Sequence, residues 1–215
     1  MEELVTCEGT VHSIIFQNAE NGYTVLRLLT EEGEVITVVG CIPCVAPGEH
    51  LAVSGVPETH PQHGEQLRAV ELERSLPEDE EEIFSYLSSG ICKGVGPATA
   101  RRIVERFGAE TLDVLEREPE RLTTLKGVTA RKAQEIAESF RQHMGLRRLM
   151  AFLAQYQLPP VLAMELRRQY GDAALEKVRE NPYLLSGEAC GVEFSVTDGI
   201  AMGMGLAADS DSRRR

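Results

Sequence analysis

The chain has 215 residues, 42% of them hydrophobic and 26% charged, with a formal net charge of −12. That length can bury one good core or two to three small ones, and no run approaches the roughly 18 consecutive apolar residues that a membrane span needs. The opening Met1-Glu2-Glu3 is acidic where a secretory leader is basic, and the five cysteines are odd in number and thinly spread; together they predict a cytoplasmic, reduced protein with no membrane partner.

From Val5 to Ser75 apolar and polar residues alternate in short β-branched runs: Val5 to Phe16, Tyr23 to Thr30, Val35 to Gly40, Leu51 to Val56 and Gln66 to Leu72. Turn residues separate them at Asn18 to Gly22, Glu32-Gly33, Pro43 to Glu49 and Pro61 to Gly64, so five strands are predicted. Five short strands behind a long first one fit a small closed barrel of the OB type, with an SH3-like barrel as the nearest rival, because closure removes exposed sheet edges. With no Trp and 5% aromatics, a broad base-stacking surface is poorly supplied, and contacts to a nucleic-acid backbone are better supplied.

Pro77 ends the last strand, and Glu78 to Glu82 place five acids where a helix dipole favours them. Beyond them the apolar period changes from 2 to about 3.6, through Ile83, Tyr86 and Leu87, then Ala100, Ile103, Val104 and Phe107, then Ala133, Ile136, Ala137 and Phe140, which predicts helices to the end of the chain. The charge is uneven. Residues 1–82 hold 17 acids and 3 bases, residues 83–148 hold 8 and 12, and residues 149–215 hold 9 and 7. A basic middle between acidic flanks is expected when one module meets phosphate and its neighbours do not.

In that basic segment lies Ile91-Cys92-Lys93-Gly94-Val95-Gly96-Pro97-Ala98-Thr99-Ala100-Arg101-Arg102. The close glycine pair permits a tight turn with positive φ, and Pro97 suits the first position of the following helix. Without side chains at Gly94 and Gly96, N–H groups at the helix start, including that of Ala98, are open to a phosphate oxygen. Lys93, Arg101 and Arg102 add charge, while Val95 points inward to tie the hairpin to its helices. This is a helix-hairpin-helix pattern. A second copy follows, Leu125-Lys126-Gly127-Val128-Thr129-Ala130-Arg131-Lys132, and internal repetition makes an accidental match improbable. Thr129 replaces the second glycine and can cap the helix, but its Cβ holds a phosphate further off. Lys93, Gly94, Val95, Gly96, Ala98, Arg101 and Arg102 thus form the better DNA contact, and Lys126, Gly127, Val128, Thr129, Arg131 and Lys132 the second. Such contacts position a protein on DNA and do not read sequence.

Other signals carry less. Cys41-Ile42-Pro43-Cys44 has no partner pair at zinc spacing, and His60 and His63 read as loop residues. No metal, cofactor or catalytic residue is predicted. Gly-x-x-x-x-Gly-Lys-Ser/Thr does not occur, so nothing cradles a nucleotide and this chain by itself should not hydrolyse ATP.

Asn21-Gly22-Tyr23-Thr24-Val25, Val38-Val39-Gly40, Pro47-Gly48-Glu49 and His60 to Gln66 together resemble the amino-terminal barrel of the long RecD-like ATP-dependent DNA helicases. Tyr86-Leu87, Gly94 to Pro97, Phe107-Gly108, Gly127-Val128, Tyr170-Gly171, Glu180 to Tyr183, Gly191 to Phe194 and Asp198 resemble the helical part of the same family. The resemblance implies an α+β multidomain chain: an OB-like β-barrel over 1–76, an all-α tandem helix-hairpin-helix domain over 77–145, further degenerate repeats over 146–207 and a flexible tail over 208–215. It also implies DNA and a helicase motor in cis as partners, five-prime to three-prime translocation by that motor, ATP and magnesium only in the motor, and a nucleoid-associated bacterial setting in repair and recombination. Leu158-Pro159-Pro160 stands where a third glycine hairpin belongs, which argues against phosphate contact there. Two alternatives stay open: a protein-interaction platform docking a partner through the acidic barrel, and a free-standing protein that binds DNA junctions.

Overall fold

The computed structural model describes residues 4–188 and 190–205; the acidic start and the tail expected over 208–215 lie outside them. Five strands, β1 (Val5–Gln17), β2 (Tyr23–Thr30), β3 (Val35–Cys41), β4 (His50–His60) and β5 (Gly64–Ser75), close into a barrel in the order β1-β2-β3-β5-β4. Every pairing is antiparallel except β3 with β5, which run parallel at Val38–Leu67 and Val39–Arg68. A closed barrel with a long first strand shared by two neighbours is the OB-like arrangement, not the SH3-like one.

β1 is long because it serves both edges. Val5 to Thr10 pair with Gly55 to His50 of β4, and Gly9 to Gln17 pair with β2. Two register shifts, at Val11/Ser13 and Ile14/Phe16, bend the strand as bulges do. At Gly9, where both partners meet, a Cβ would run into the Leu29 carbonyl.

β4 and β5 extend further than the alternation predicts, and β4 runs through Pro57. Beyond Gly55, β4 pairs with β5 alone, so on its other side the missing proline N–H leaves no ladder bond unmade. Val11, Leu26, Leu28, Val38, Ile42, Leu51, Val53 and Leu67 fill the interior. The fully buried Glu49 accepts from Arg74 Nε at 3.1 Å and Nη2 at 2.9 Å, and Arg74 also donates to the carbonyls of Pro43 and Cys44. One ion pair thus holds the β3–β4 loop shut.

The helices are α1 (Glu80–Tyr86), α2 (Pro97–Phe107), α3 (Thr111–Arg117), α4 (Ala130–Gln155), α5 (Val161–Tyr170), α6 (Ala174–Glu180) and α7 (Phe194–Gly203). Among the described residues none is long and apolar enough to cross a membrane. Asp79 caps α1 by accepting from the Glu82 N–H at 2.8 Å, the arrangement expected of acids at a helix start. A wider turn, Leu87–Ile91, leads from α1 to the first hairpin, with Gly90 at φ 92°.

Two compact units divide the chain, residues 1–143 and 144–215, and the division falls inside α4. The first contains the barrel and a helical core of Ile83, Tyr86, Ile103, Leu115, Leu122, Ile136 and Phe140. The second buries Leu153, Ala163, Leu166, Val178, Leu185 and Ile200. Each repeats one local plan. α2 ends at Gly108 with positive φ, followed by a 3-10 turn, a seven-residue helix and a 3-10 segment opened by Pro119; α5 ends at Gly171 and continues in the same way to Pro182.

Candidate nucleic-acid interface

The two Lys-Gly-Val segments fold alike. Gly94 has φ 83° and Gly127 φ 82°, conformations in which an L side chain is strained. The Val95 N–H donates to the Cys92 carbonyl at 3.1 Å, and the Val128 N–H donates to the Leu125 carbonyl at the same distance. Val95 and Val128 are both buried, as are Cys92 and Leu125 behind them, so each hairpin is pinned by two apolar residues. Sequence reasoning placed Val95 inward, and the same follows for Val128.

What remains outside is backbone and charge. Lys93, Gly94, Gly96 and Ala98 are exposed, and so are Lys126, Gly127, Thr129 and Arg131. Among the described residues the N–H groups of Gly94, Gly96 and Ala98 make no hydrogen bond, nor do those of Gly127, Thr129, Ala130 and Arg131. A Cβ built on Gly94, Gly96 or Gly127 meets open space. These donors therefore face solvent at the positive ends of α2 and α4, where an anion is favoured. Thr129 caps α4 by accepting from the Lys132 N–H at 3.2 Å, whereas Gly96 at the start of α2 has no side chain to do so.

The basic residues divide by partner. Lys93 is exposed, with no side-chain partner among the described residues. Arg101 lays its guanidinium over the Phe84 ring, 4.0 Å from the centroid. Arg102 donates to the Ala98 carbonyl at 3.4 Å and to the Lys126 carbonyl, across the hairpins, at 2.6 Å. The Lys93 N–H in turn donates to Ser139 Oγ on α4 at 2.8 Å. Arg131 pairs with Glu135 at 2.9 Å with 90% of its side chain exposed; such a pair is worth at most about 1 kcal/mol and yields readily to a phosphate. Lys132 is half-buried. The motif alone does not disclose the partners of Arg102 and Ser139, which come from a different hairpin.

The second unit keeps the turn, but the N–H groups at the turn itself are taken within the fold or absent. Gln157 takes the place of the hairpin glycine with φ 57°, its N–H donates to the Ala154 carbonyl, and Pro159 and Pro160 have no N–H. At Gly191, φ 63°, the N–H donates to the Gly187 carbonyl, and the acid Glu193 precedes α7. Nearby, Tyr183 stacks on Phe194 at 5.3 Å and its hydroxyl donates to Asp198 at 2.7 Å, so three residues of the separate family-like motifs meet in one contact.

Beside the first hairpin, α1 is fastened to the barrel. Thr10 Oγ1 donates to Glu82 Oε1 at 2.9 Å, and His50 Nε2 lies 2.9 Å from Glu82 Oε2. Among the described residues no three His, Cys, Asp or Glu side chains gather as metal ligands do. Cys92 is sealed in the hairpin core, and burial pushes its thiol up to about 12.

Comparison with known proteins covers nearly the whole chain. Residues 4–77 match the family described as ATP-dependent DNA helicase YrrC, OB-fold domain; residues 84–142 match a SAM-like helix-hairpin-helix tandem; and residues 142–215 match the ATP-dependent RecD2 DNA helicase HHH domain. The ATP-dependent RecD2 DNA helicase of Deinococcus radiodurans is 30% identical over 213 residues, 96% of this chain. The chain spans 29% of that relative's length. Among solved structures, the S. pombe Stn1-Ten1 complex matches over 34% of this chain and 57% of its own, at 21% identity and a TM-score of 0.28.

Proposed function

We propose, for a chain that carries the amino-terminal domain series of the long RecD-like ATP-dependent DNA helicases, that it is their DNA-holding accessory region. It grips the sugar-phosphate backbone through the first pair of hairpins, without regard to sequence, and presents the DNA to a helicase motor. The observation that carries this reading is the paired set of exposed, unpartnered N–H groups at Gly94, Gly96 and Ala98 and at Gly127, Thr129 and Ala130, with Lys93, Arg101 and Lys126 beside them. Backbone donors at a helix start bind phosphate, and phosphate contacts position without specifying. In the second pair the turn N–H groups of Gln157 and Gly191 are taken within the fold, Pro159 and Pro160 have none, and the acid Glu193 stands before α7; this pair takes no part in the grip. Nucleotide and magnesium belong to the motor, and the setting is the bacterial cytoplasm, at the nucleoid, in repair and recombination.

The test is a titration of the 215-residue chain against labelled duplexes of unrelated sequence across a salt series. Affinity should be indifferent to sequence and fall linearly on log-log axes, each neutralised phosphate adding about 0.9 to the slope. No binding at low salt would sink the reading. A second reading, docking of a partner on the acidic barrel, is favoured by Ile15, Phe16 and Val35, each more than half exposed on its wall; it would then stand alone.

A further inference from the structure

We infer that Arg102 is a positioning residue and not a phosphate ligand: with Ser139 it cross-locks the two hairpins, each turn being held by the helix that follows the other. This rests on the reading of the hairpin pair as the DNA grip.

The geometry is reciprocal. Lys93 and Lys126 occupy the same place in the two turns, directly before the positive-φ glycine. The peptide of each is claimed by the opposite copy, the Lys93 N–H by Ser139 of α4 at 2.8 Å and the Lys126 carbonyl by Arg102 of α2 at 2.6 Å. Arg102 reaches Lys126 while also donating to Ala98 at the start of its own helix, so its guanidinium spans from one donor-bearing helix start to the other turn. A charge-assisted hydrogen bond is about twice as strong as a neutral one, and this one fixes the carbonyl of the residue beside Gly127. Each turn is anchored from behind by one hydrogen bond and two buried apolar residues, and the two cross-bonds tie the exposed backbones of the turns to one another. A rigid separation matters because a second phosphate contact adds affinity only if it meets the DNA without further ordering.

The experiment compares Arg102→Met, Ser139→Ala and Lys93→Met in the whole chain, by two measurements. The first is hydrogen exchange of the Val95 and Val128 amides without DNA. Arg102→Met should speed exchange at Val128, and Ser139→Ala at Val95, by roughly fivefold, the equivalent of one hydrogen bond of about 1 kcal/mol. The second is the salt dependence of duplex binding. Lys93→Met should flatten the log-log slope by about 0.9. Arg102→Met and Ser139→Ala should weaken binding several-fold at every salt concentration and leave the slope close to that of the unaltered chain. An Arg102→Met slope flattened like that of Lys93→Met, or a Val128 exchange rate that does not move, overturns the assignment. If the unaltered chain binds no DNA, the grip itself is refuted, while exchange at Val128 still decides whether the lock exists.

Discussion

Glu82 reaches from the third residue of α1 to His50 on β4, 2.9 Å away, and its other carboxylate oxygen accepts a hydrogen bond from the hydroxyl of Thr10 on β1. Its own N–H is held by the cap residue Asp79. In a capping box the third-position glutamate turns back to the cap N–H; here the side chain goes to the barrel instead, and the helix start becomes a clasp between two structural layers of the first unit. Gly48 supports this, because at φ 89° it lies so close to the Glu82 carbonyl that a Cβ would collide with it.

Glu82→Ala removes two part-buried hydrogen bonds, each worth about 1 kcal/mol. Urea unfolding should show the variant less stable by about 1 to 3 kcal/mol. Duplex binding at low salt should be unchanged, since none of the hairpin residues is touched. A neutral effect on stability would mean that the clasp is not formed in solution.

The hairpin glycines should separate stability from binding. Gly96 has an ordinary φ of −96° and open space where a Cβ would stand, so Gly96→Val should fold with little change in stability and bind duplex about fivefold more weakly, the equivalent of one lost contact. Gly94, at φ 83°, should behave differently: Gly94→Val should itself destabilise the protein by about 1 to 2 kcal/mol or more, the strain of a left-handed side chain. Thr129→Val should lose the α4 cap at a cost of about 1 kcal/mol and affect binding less than Gly96→Val, because Thr129 already carries a Cβ. Melting curves beside the titrations give both quantities.

Gln157 is strained for nothing that binds. Gln157→Gly relieves a positive φ and should stabilise the chain by up to about 1 kcal/mol, the gain from the left-handed conformation being partly offset by the entropy of the glycine in the unfolded state. It should add no DNA affinity, since Pro159 and Pro160 still supply no N–H. A gain in affinity would show that the second unit joins the grip.

The thiols give a pH prediction. Cys92, 1% exposed, has its thiol pushed up to about 12 by burial, above the value near 8.5 of an unfolded cysteine. The unfolded chain therefore releases this proton first, and bound protons are fewer in the unfolded state between those values, so stability falls as pH rises. From pH about 9 upward, Cys92→Ala should show a shallower alkaline loss of stability than the unaltered chain. In alkylation at neutral pH, exposed Cys41 should react first and Cys92 only on unfolding.

Features that depend only on neighbours along the chain were legible in the residues. Alternation marked the five strands, glycines and asparagines marked the turns, and the Lys-Gly-Val repeat marked both hairpins, because side-chain period and positive φ are properties of a few consecutive residues. The same reasoning stopped at Val56 for want of knowing that β4 has only one neighbour beyond Gly55, which is what admits Pro57. It placed a degenerate hairpin at Leu158 to Pro160 but did not foresee the positive φ of Gln157, since glutamine carries no turn signal and only the packing around it selects that conformation. The tertiary structure alone decided where the long charged side chains end. Arg101 covers Phe84, Arg102 crosses to Lys126, Glu82 turns to the barrel and Glu49 takes Arg74. Each of those partners stands many positions away in the chain, and a flexible charged side chain has no preferred neighbour until the backbone brings one within about 3 Å of it.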